Sequence, residues 1–265
     1  PGTDLERAAE AIDFGLKFNG GATCVSPRRL IIEDSMAAEL ADCLTSRLQS
    51  AAVASVHPSA RQVAADTIET ALDNGAVDCL GRFEGDSLRT NGTLHPMLLD
   101  HVTPENKIAS TDLFAPVTSI IRVKRIEEAI DVVNRCPYRL AASVFGSNAD
   151  ASSLARRLQV GSVVINDVLV PLADPRIPFG GRGDSGFGVT RGTEGLLAMT
   201  HPRVYCTRRG GLESHLRPRH PSDAQTLLGA LQLLHAGSLG SRLAGMRRMV
   251  AAARESRSTE SDSSL

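Results

Sequence analysis

Several features are scarce in this chain, and each scarcity argues against a class of protein. Tryptophan is absent and only two tyrosines occur in 265 residues, which argues against aromatic cages and base-stacking platforms. Five cysteines, an odd number without a C-x-x-C pair, argue against a disulfide framework and a zinc site. A net charge of −1 gives no electrostatic reason for a nucleic-acid partner. The apolar runs are too short for a transmembrane segment, and we expect a reducing, cytoplasmic location without a bound metal.

The composition is sufficient for one large hydrophobic core. Hydrophobic residues make up 42% of the sequence, enough for a folded domain with an appendage. Strand-like and helix-like patterns alternate, which is typical of βα units. We therefore predict an α/β fold, a three-layer domain with a mostly parallel sheet, helices on both faces and a helical C-terminal extension. Strands are predicted at 30–32, 76–80, 95–102, 118–123, 137–145 and 160–165, and helices at 3–16, 35–48, 59–72, 126–135 and 151–159.

The domain boundaries follow changes in composition. We predict one domain over residues 1–207, with its final strand at about 203–207 and Thr3 and Glu6 capping its first helix. Residues 208–221, rich in Arg, Pro and Gly, are predicted to be a linker. Residues 222–254 carry two helical stripes, and 255–265 are predicted to be disordered. The second stripe is basic, so it either packs on its own protein or contacts an acidic partner or membrane surface.

Cys24 is the residue around which the rest of the sequence is interpreted. It follows the pair Gly20-Gly21, with a helical pattern before it and an apolar strand after it. A loop between two regular elements can hold a thiol in a defined position, and glycines allow a ligand to approach the backbone closely. A thiolate in such a loop is a candidate nucleophile. The alternative is a structural cysteine beside a turn.

Three segments together resemble the aldehyde dehydrogenase superfamily, over about residues 3–207. The first is Asn19-x-Gly21-x-x-Cys24 followed by Arg28 or Arg29, although Ala22 stands where the family often has Gln. The second is Asp112-x-Phe114-x-Pro116-Val117, with Asp where the family has Glu. The third and most specific is Pro178-Phe179-Gly180-Gly181, followed by Ser185-Gly186-x-Gly188.

The resemblance implies roles for single residues. Cys24 is implied to be the catalytic nucleophile, with Asp112 at the nicotinamide ribose and Phe114 beside the nicotinamide of NAD or NADP. Asn166 is implied to support the Cys24 loop; for both Asn166 and Asp112 the alternative is a turn cap. Supporting roles also fall to Asn19 and Gly21. The implied substrate pocket contains Phe18, Thr23, Val25, Val168, Leu169 and Phe179, whose apolar part favours an apolar or semi-apolar aldehyde.

The resemblance also implies a reaction, namely oxidation of an aldehyde to a carboxylate through a thiohemiacetal and a thioester on Cys24. The full-length protein is expected to be a homo-oligomer. The family's nucleotide-binding domain, oxyanion asparagine and general-base glutamate precede the segment matched here, so we expect this polypeptide alone to be inactive or nearly so. The alternatives are a non-catalytic module or assembly subunit, and a dehydrogenase that passes the acyl group to coenzyme A. The aldehyde, and NAD against NADP, stay open.

Two short strings in the third segment are coincidences. Gly181-x-Gly183-x-x-Gly186 fits a dinucleotide fingerprint, but a proline-rich loop stands where that fingerprint needs a strand. Arg182-Gly183-Asp184 spells an integrin-type tripeptide, which has no meaning in a cytoplasmic enzyme. We assign neither a function.

Overall fold

The computed structural model describes residues 3–207 and 219–262. They fall into two compact units that divide after Pro202. The helices are α1 (Leu5–Lys17), α2 (Asp34–Leu48), α3 (Pro58–Asp73), α4 (Gly85–Thr90), α5 (Ile126–Arg135), α6 (Asn148–Ala155), α7 (Gly192–Ala198), α8 (Asp223–His235) and α9 (Leu239–Asp262). The strands are β1 (Arg29–Glu33), β2 (Ala54–Ser55), β3 (Val77–Asp78), β4 (Thr93–Leu94), β5 (Met97–Asp100), β6 (Val117–Val123), β7 (Tyr138–Arg139), β8 (Ala141–Val144), β9 (Ser162–Ile165) and β10 (Arg182–Gly183).

The main sheet of the first unit has the strand order β1-β6-β5-β3. β6 is parallel to both neighbours, with Leu30 opposite Ile120 and Leu98 opposite Thr118, whereas β3 is antiparallel to β5. The amino ends of parallel strands meet at one edge of a sheet. The segments that lead into β1 and β6 are therefore brought together, and these are the segments of Cys24 and Asp112.

Helices cover both faces of this sheet, as predicted. On one face Leu98 and Ile120 pack with buried residues of α1 and α2, including Leu16 and Leu44. On the other face Leu99 and Ile121 belong to the core that α3 completes. The strands alternate between the two cores because successive side chains point to opposite faces. This confirms the three-layer α/β prediction.

A second group of strands lies apart from the main sheet. β8 and β9 form a parallel pair with Ser143 opposite Val164. β2 pairs with β4, and β7 with β10, each antiparallel and two residues long. The glycine-rich string at 181–186 thus contains the two-residue strand β10 and a turn, after a proline-rich loop, and a short helix follows only at Gly192.

Four local predictions were wrong. The first helix is capped by Asp4, whose carboxylate accepts from the Arg7 N–H at 2.9 Å, because the Thr3 hydroxyl instead donates to the Phe145 carbonyl at 3.4 Å. The stretch 81–93, predicted to be a loop or hairpin, contains α4. Residues 201–207 hold no strand, since none of the described strands pairs with them. The predicted disordered tail is helical to Asp262, because no Gly or Pro interrupts α9 after Gly245.

The second unit, taken by itself, is a pair of helices. α8 and α9 approach closely at Gly229 and Gly245, where a Cβ on either residue would lie 2.7 Å from the other's carbonyl oxygen. The predicted stripes fall on these helices and are about half exposed or more, at Leu227, Leu228, Leu231, Leu234, Leu243, Met246 and Val250. The predicted linker falls mainly on residues 208–218, outside the described part of the chain.

Two features are missing from the part of the chain that the structure describes, namely a membrane-spanning helix and a metal-binding cluster. No helix among them is long and apolar enough to cross a bilayer. Within the same residues, His, Cys, Asp and Glu form no cluster of three or more with metal-binding geometry.

Candidate active site

The Cys24 loop is held in shape by its own backbone and by Asn19. Residues Phe18–Gly21 form a tight 3-10 turn in which Asn19 has φ 51° and Gly21 has φ 75°. The Asn19 side-chain amide donates to the Ala22 carbonyl at 3.1 Å. The Ser26 N–H then donates to the Thr23 carbonyl at 3.0 Å, which closes a second turn around Cys24. Cys24 is exposed on this turn.

Gly21 lets the loop approach the segment that precedes β6. A Cβ on Gly21 would lie 2.5 Å from the Pro116 backbone nitrogen and 2.6 Å from the Ala115 carbonyl oxygen. Only glycine fits such a contact, and its positive φ independently favours glycine. The Cys24 loop is thereby seated against the segment of Asp112 and Phe114.

Arg28 joins the two segments a second time. Its Nε lies 2.5 Å from Asp112 Oδ1, and its Nη2 donates to the Thr23 carbonyl at 3.0 Å. Its Cζ is 5.1 Å from the centroid of the Phe114 ring, within cation–π range. Burial lowers the pKa of Arg28, and the Asp112 carboxylate offsets part of that effect. Sequence reasoning gave Arg28 no role beyond a place in the motif, because its partner is 84 residues away (112 − 28).

One cavity of about 660 Å³ borders five of the residues that the resemblance assigns to the site. Cys24, Val25, Asp112, Val168 and Leu169 all line it. Val168 and Leu169 are buried and form an apolar cluster with Ala11, against which Val25 packs. The cysteine loop thus has an apolar wall on one side and an ion pair on the other.

The remaining predicted site residues lie elsewhere. Phe18 is half exposed and its ring packs on Phe14, with centroids 5.7 Å apart. The Phe179 ring lies under the Arg191 guanidinium, 4.8 Å away. Asn166 has φ 56°, and its amide caps the turn after β8 by accepting from the Gly146 N–H at 2.9 Å and donating to the Gly146 carbonyl at 3.0 Å. Among the described residues, the Asn166 side chain has no hydrogen bond to the Cys24 loop.

The other thiols differ from Cys24 in their surroundings. Cys136 is buried, whereas Cys206 is exposed like Cys24. Burial, followed by the charges of Asp100 and Asp78, raises the pKa of Cys79 to about 11. Burial and Glu6 also raise the pKa of Cys43. A nucleophilic thiol must be accessible to its substrate. Cys206 is therefore the thiol against which the reactivity of Cys24 should be compared, because both are exposed.

The family of this chain follows from a comparison of its sequence with models of protein families. The model of the aldehyde dehydrogenase family matches residues 1–205. The chain belongs to the aldehyde dehydrogenase family. The family membership agrees with the resemblance found in the sequence.

Curated relatives show how much of such a protein is present. The 4,4'-diaponeurosporen-aldehyde dehydrogenase of Staphylococcus aureus is 30% identical, and the match covers 81% of this chain and 48% of that protein. The 4,4'-diapolycopene aldehyde oxidase of a Methylomonas species is 31% identical, with 88% of this chain and 45% of that protein covered. The chain thus spans about half the length of these aldehyde dehydrogenase relatives.

Solved structures of the family agree with the fold. The NADP complex of the NADP-dependent glyceraldehyde-3-phosphate dehydrogenase of Bacillus halodurans is 32% identical, with a TM-score of 0.69 over 77% of this chain and 44% of that one. The succinic semialdehyde dehydrogenase of Streptococcus pyogenes, solved with NADP⁺, is 26% identical, with a TM-score of 0.70 over 78% and 48%. NAD or NADP is therefore the cofactor at the level of the family.

Proposed function

We propose that this chain supplies the nucleophile and the nicotinamide-facing residues for NAD- or NADP-dependent oxidation of an aldehyde to a carboxylate. The observation that carries the proposal is the placement of an exposed Cys24 on a loop fastened to the segment of Asp112 and Phe114. The family membership supports the same reaction class. Because the chain spans about half the length of its relatives, the complete reaction is part of this proposal.

The chemistry begins at sulfur. The Cys24 thiolate adds to the aldehyde carbon, which forms a C–S bond and turns the carbonyl oxygen into an oxyanion. The backbone N–H of Cys24 is available to stabilise that oxyanion as part of an oxyanion hole. Loss of two electrons and one proton from this thiohemiacetal oxyanion re-forms the carbonyl and leaves a thioester on Cys24. Water then cleaves the C–S bond, releasing the carboxylate and restoring the thiol.

Asp112 and Phe114 are the residues that would hold the cofactor. A carboxylate accepts hydrogen bonds from sugar hydroxyls, and an aromatic face suits a flat heterocycle. Both side chains lie beside Arg28, next to the loop that carries Cys24. The residues present therefore fit a nicotinamide, which when bound supplies the two-electron acceptor. Because Asp112 is paired with Arg28, its oxygen nearest Nε is oriented before any cofactor binds.

The substrate class follows from the other side of the loop. Val25, Val168 and Leu169 present an apolar surface to the cavity that Cys24 borders. Burial of apolar substrate surface there is favourable by about 25 cal/mol per Å². We therefore propose an aldehyde whose chain beyond the carbonyl is apolar or semi-apolar.

The test uses acylation, because it needs the nucleophile and no cofactor. The chain is mixed with p-nitrophenyl acetate near neutral pH, and acetylated cysteines are located by mass spectrometry. We expect Cys24 to be acylated roughly tenfold faster than Cys206, the exposed thiol in the other unit. Cys24→Ser should abolish the fast phase, and Cys206→Ser is the matched control that should keep it. Equal rates at the two thiols would refute the nucleophile assignment.

A further inference from the structure

We propose that Arg28 is the positioning residue that fixes Cys24 and Asp112 in one arrangement. The proposal rests on the proposed function, since it takes Cys24 as the nucleophile and Asp112 as a cofactor-facing residue. The sequence motif includes Arg28 or Arg29 but gives neither of them a role. What assigns it here is the set of contacts that this one side chain makes.

Those contacts join three different parts of the site. Nη2 binds the Thr23 carbonyl within the cysteine turn, Nε pairs with Asp112, and the planar head lies over Phe114. The Arg28 side chain is only 12% exposed, so these contacts do not compete with bulk water as a surface ion pair does. A rigid, planar fork that touches three partners determines their relative positions.

One donor of the Arg28 head, Nη1, is buried without a hydrogen bond among the residues that the structure describes. A buried, unpaired donor costs free energy, so the contacts of Nη2 and Nε with Thr23 and Asp112 hold the side chain in place against that cost.

The first experiment measures the rate of Cys24 alkylation by iodoacetamide at neutral pH in the whole chain. Arg28→Gln loses the ion pair with Asp112 and loosens the cysteine turn, so it should slow alkylation by about threefold to tenfold. Arg28→Lys keeps a donor but not the planar fork, and should restore only part of the rate. Arg125→Gln is the matched control, since Arg125 is exposed and follows the carboxyl end of β6, at the opposite edge of the sheet. It should leave the rate unchanged.

The second experiment measures the position of the turn rather than the reactivity of the thiol, by hydrogen exchange of the Ser26 amide, which closes the cysteine turn. Arg28→Gln and Asp112→Asn should each speed its exchange by about tenfold, because either change removes the Arg28–Asp112 pair, one of the two contacts that join the segments. The approach of Gly21 to Ala115 and Pro116 is unaltered in both variants, so similar effects of the two changes on a turn 86 residues from Asp112 (112 − 26) point to that pair. Unchanged far-ultraviolet circular dichroism for each variant shows that the chain still folds.

The two proposals fail separately. If Cys24 in the unaltered chain reacts no faster than Cys206, the nucleophile assignment is wrong, while the exchange of Ser26 still reports on the Arg28 link. If Cys24 is fast but Arg28→Gln changes neither its alkylation rate nor the exchange of Ser26, Arg28 is an ordinary buried arginine and the positioning role is refuted.

Discussion

The first unit has a closed half and an open half. In the closed half, built on the β1-β6-β5-β3 sheet, β6 is paired along both edges and Leu98, Ile120 and Ile121 are 0% exposed. In the open half, β8 is paired only with β9 among the described strands. Residues of β8 and of β1 line the same cavity of about 660 Å³.

The difference separates some of the predicted site residues but not all of them. Cys24, Asp112 and Phe114 lie on segments that enter β1 and β6, in the closed half. Asn166 and Phe179 follow β9, and their contacts are with their own turns and with Arg191. Val168 and Leu169 also follow β9, but they line the same cavity as Cys24. The open half therefore contributes the apolar wall of the cavity, while the closed half holds the segments of Cys24 and Asp112.

The largest expected effect is on the free energy of unfolding, when one isoleucine in each half is replaced by alanine. Ile120→Ala, in the closed half, removes a fully buried side chain from β6 and should lower the free energy of unfolding by about 3–4 kcal/mol. Ile165→Ala, on the half-buried end of β9, should cost only about 1 kcal/mol. Urea unfolding of both variants measures the difference. Equal losses would mean that the open half is packed as tightly as the closed one.

The next effect tests the contact that seats the cysteine loop on the closed half. Gly21→Ala adds a Cβ 2.5 Å from the Pro116 nitrogen at a positive φ, and should cost about 3 kcal/mol. Gly20→Ala is the matched control: its φ is 62°, but its Cβ would meet only Ala54 Cβ at 3.6 Å. Strain alone should then cost about 1 kcal/mol. Thermal unfolding separates the two, and similar losses would show that the close approach contributes nothing.

Most of the fold was predictable because its elements have strong periodic patterns. The strand at β6 and the helices α2, α3 and α5 agree with the predicted ranges to within a residue or two. α4 was missed because it is six residues long and buries one apolar side chain, Leu88, too little to give a period. The strand at 201–207 was predicted from its own residues, but a strand forms only with a partner.

Only those site residues that belong to short sequence motifs could be predicted. Cys24, Gly21 and Asp112 were named from their spacing, and the structure brings their segments together. The role of Arg28 was not predictable, because it depends on a contact made across the sheet edge. The cap of α1 illustrates the same limit. Thr3 was predicted to cap the helix, but its hydroxyl donates to the Phe145 carbonyl, a residue distant in sequence, and Asp4 is the cap instead.

The smallest expected effect compares one carboxylate from each half. Asp100, at the end of β5, accepts from Arg122 Nη2 at 2.6 Å and from the His101 N–H at 2.6 Å, and its side chain is 9% exposed. Burial raises the pKa of Asp100, but Arg122 and the His101 N–H together outweigh burial, so the pKa lies below its usual value. Asp174, in the open half, pairs with the exposed Arg176, which also lowers the pKa of Asp174.

A carboxyl whose pKa is lowered on folding stabilises the protein above its unfolded pKa of about 3.9, and that stabilisation is lost as pH falls through the folded value. The unaltered chain should therefore lose stability as pH falls from about 5 toward 2, and Asp100→Asn should flatten part of that loss. Asp174→Asn should flatten it less, because water screens an exposed pair. Urea unfolding at several acidic pH values measures both slopes. If the two variants flatten the loss equally, burial in the closed half adds nothing to the ion pair of Asp100.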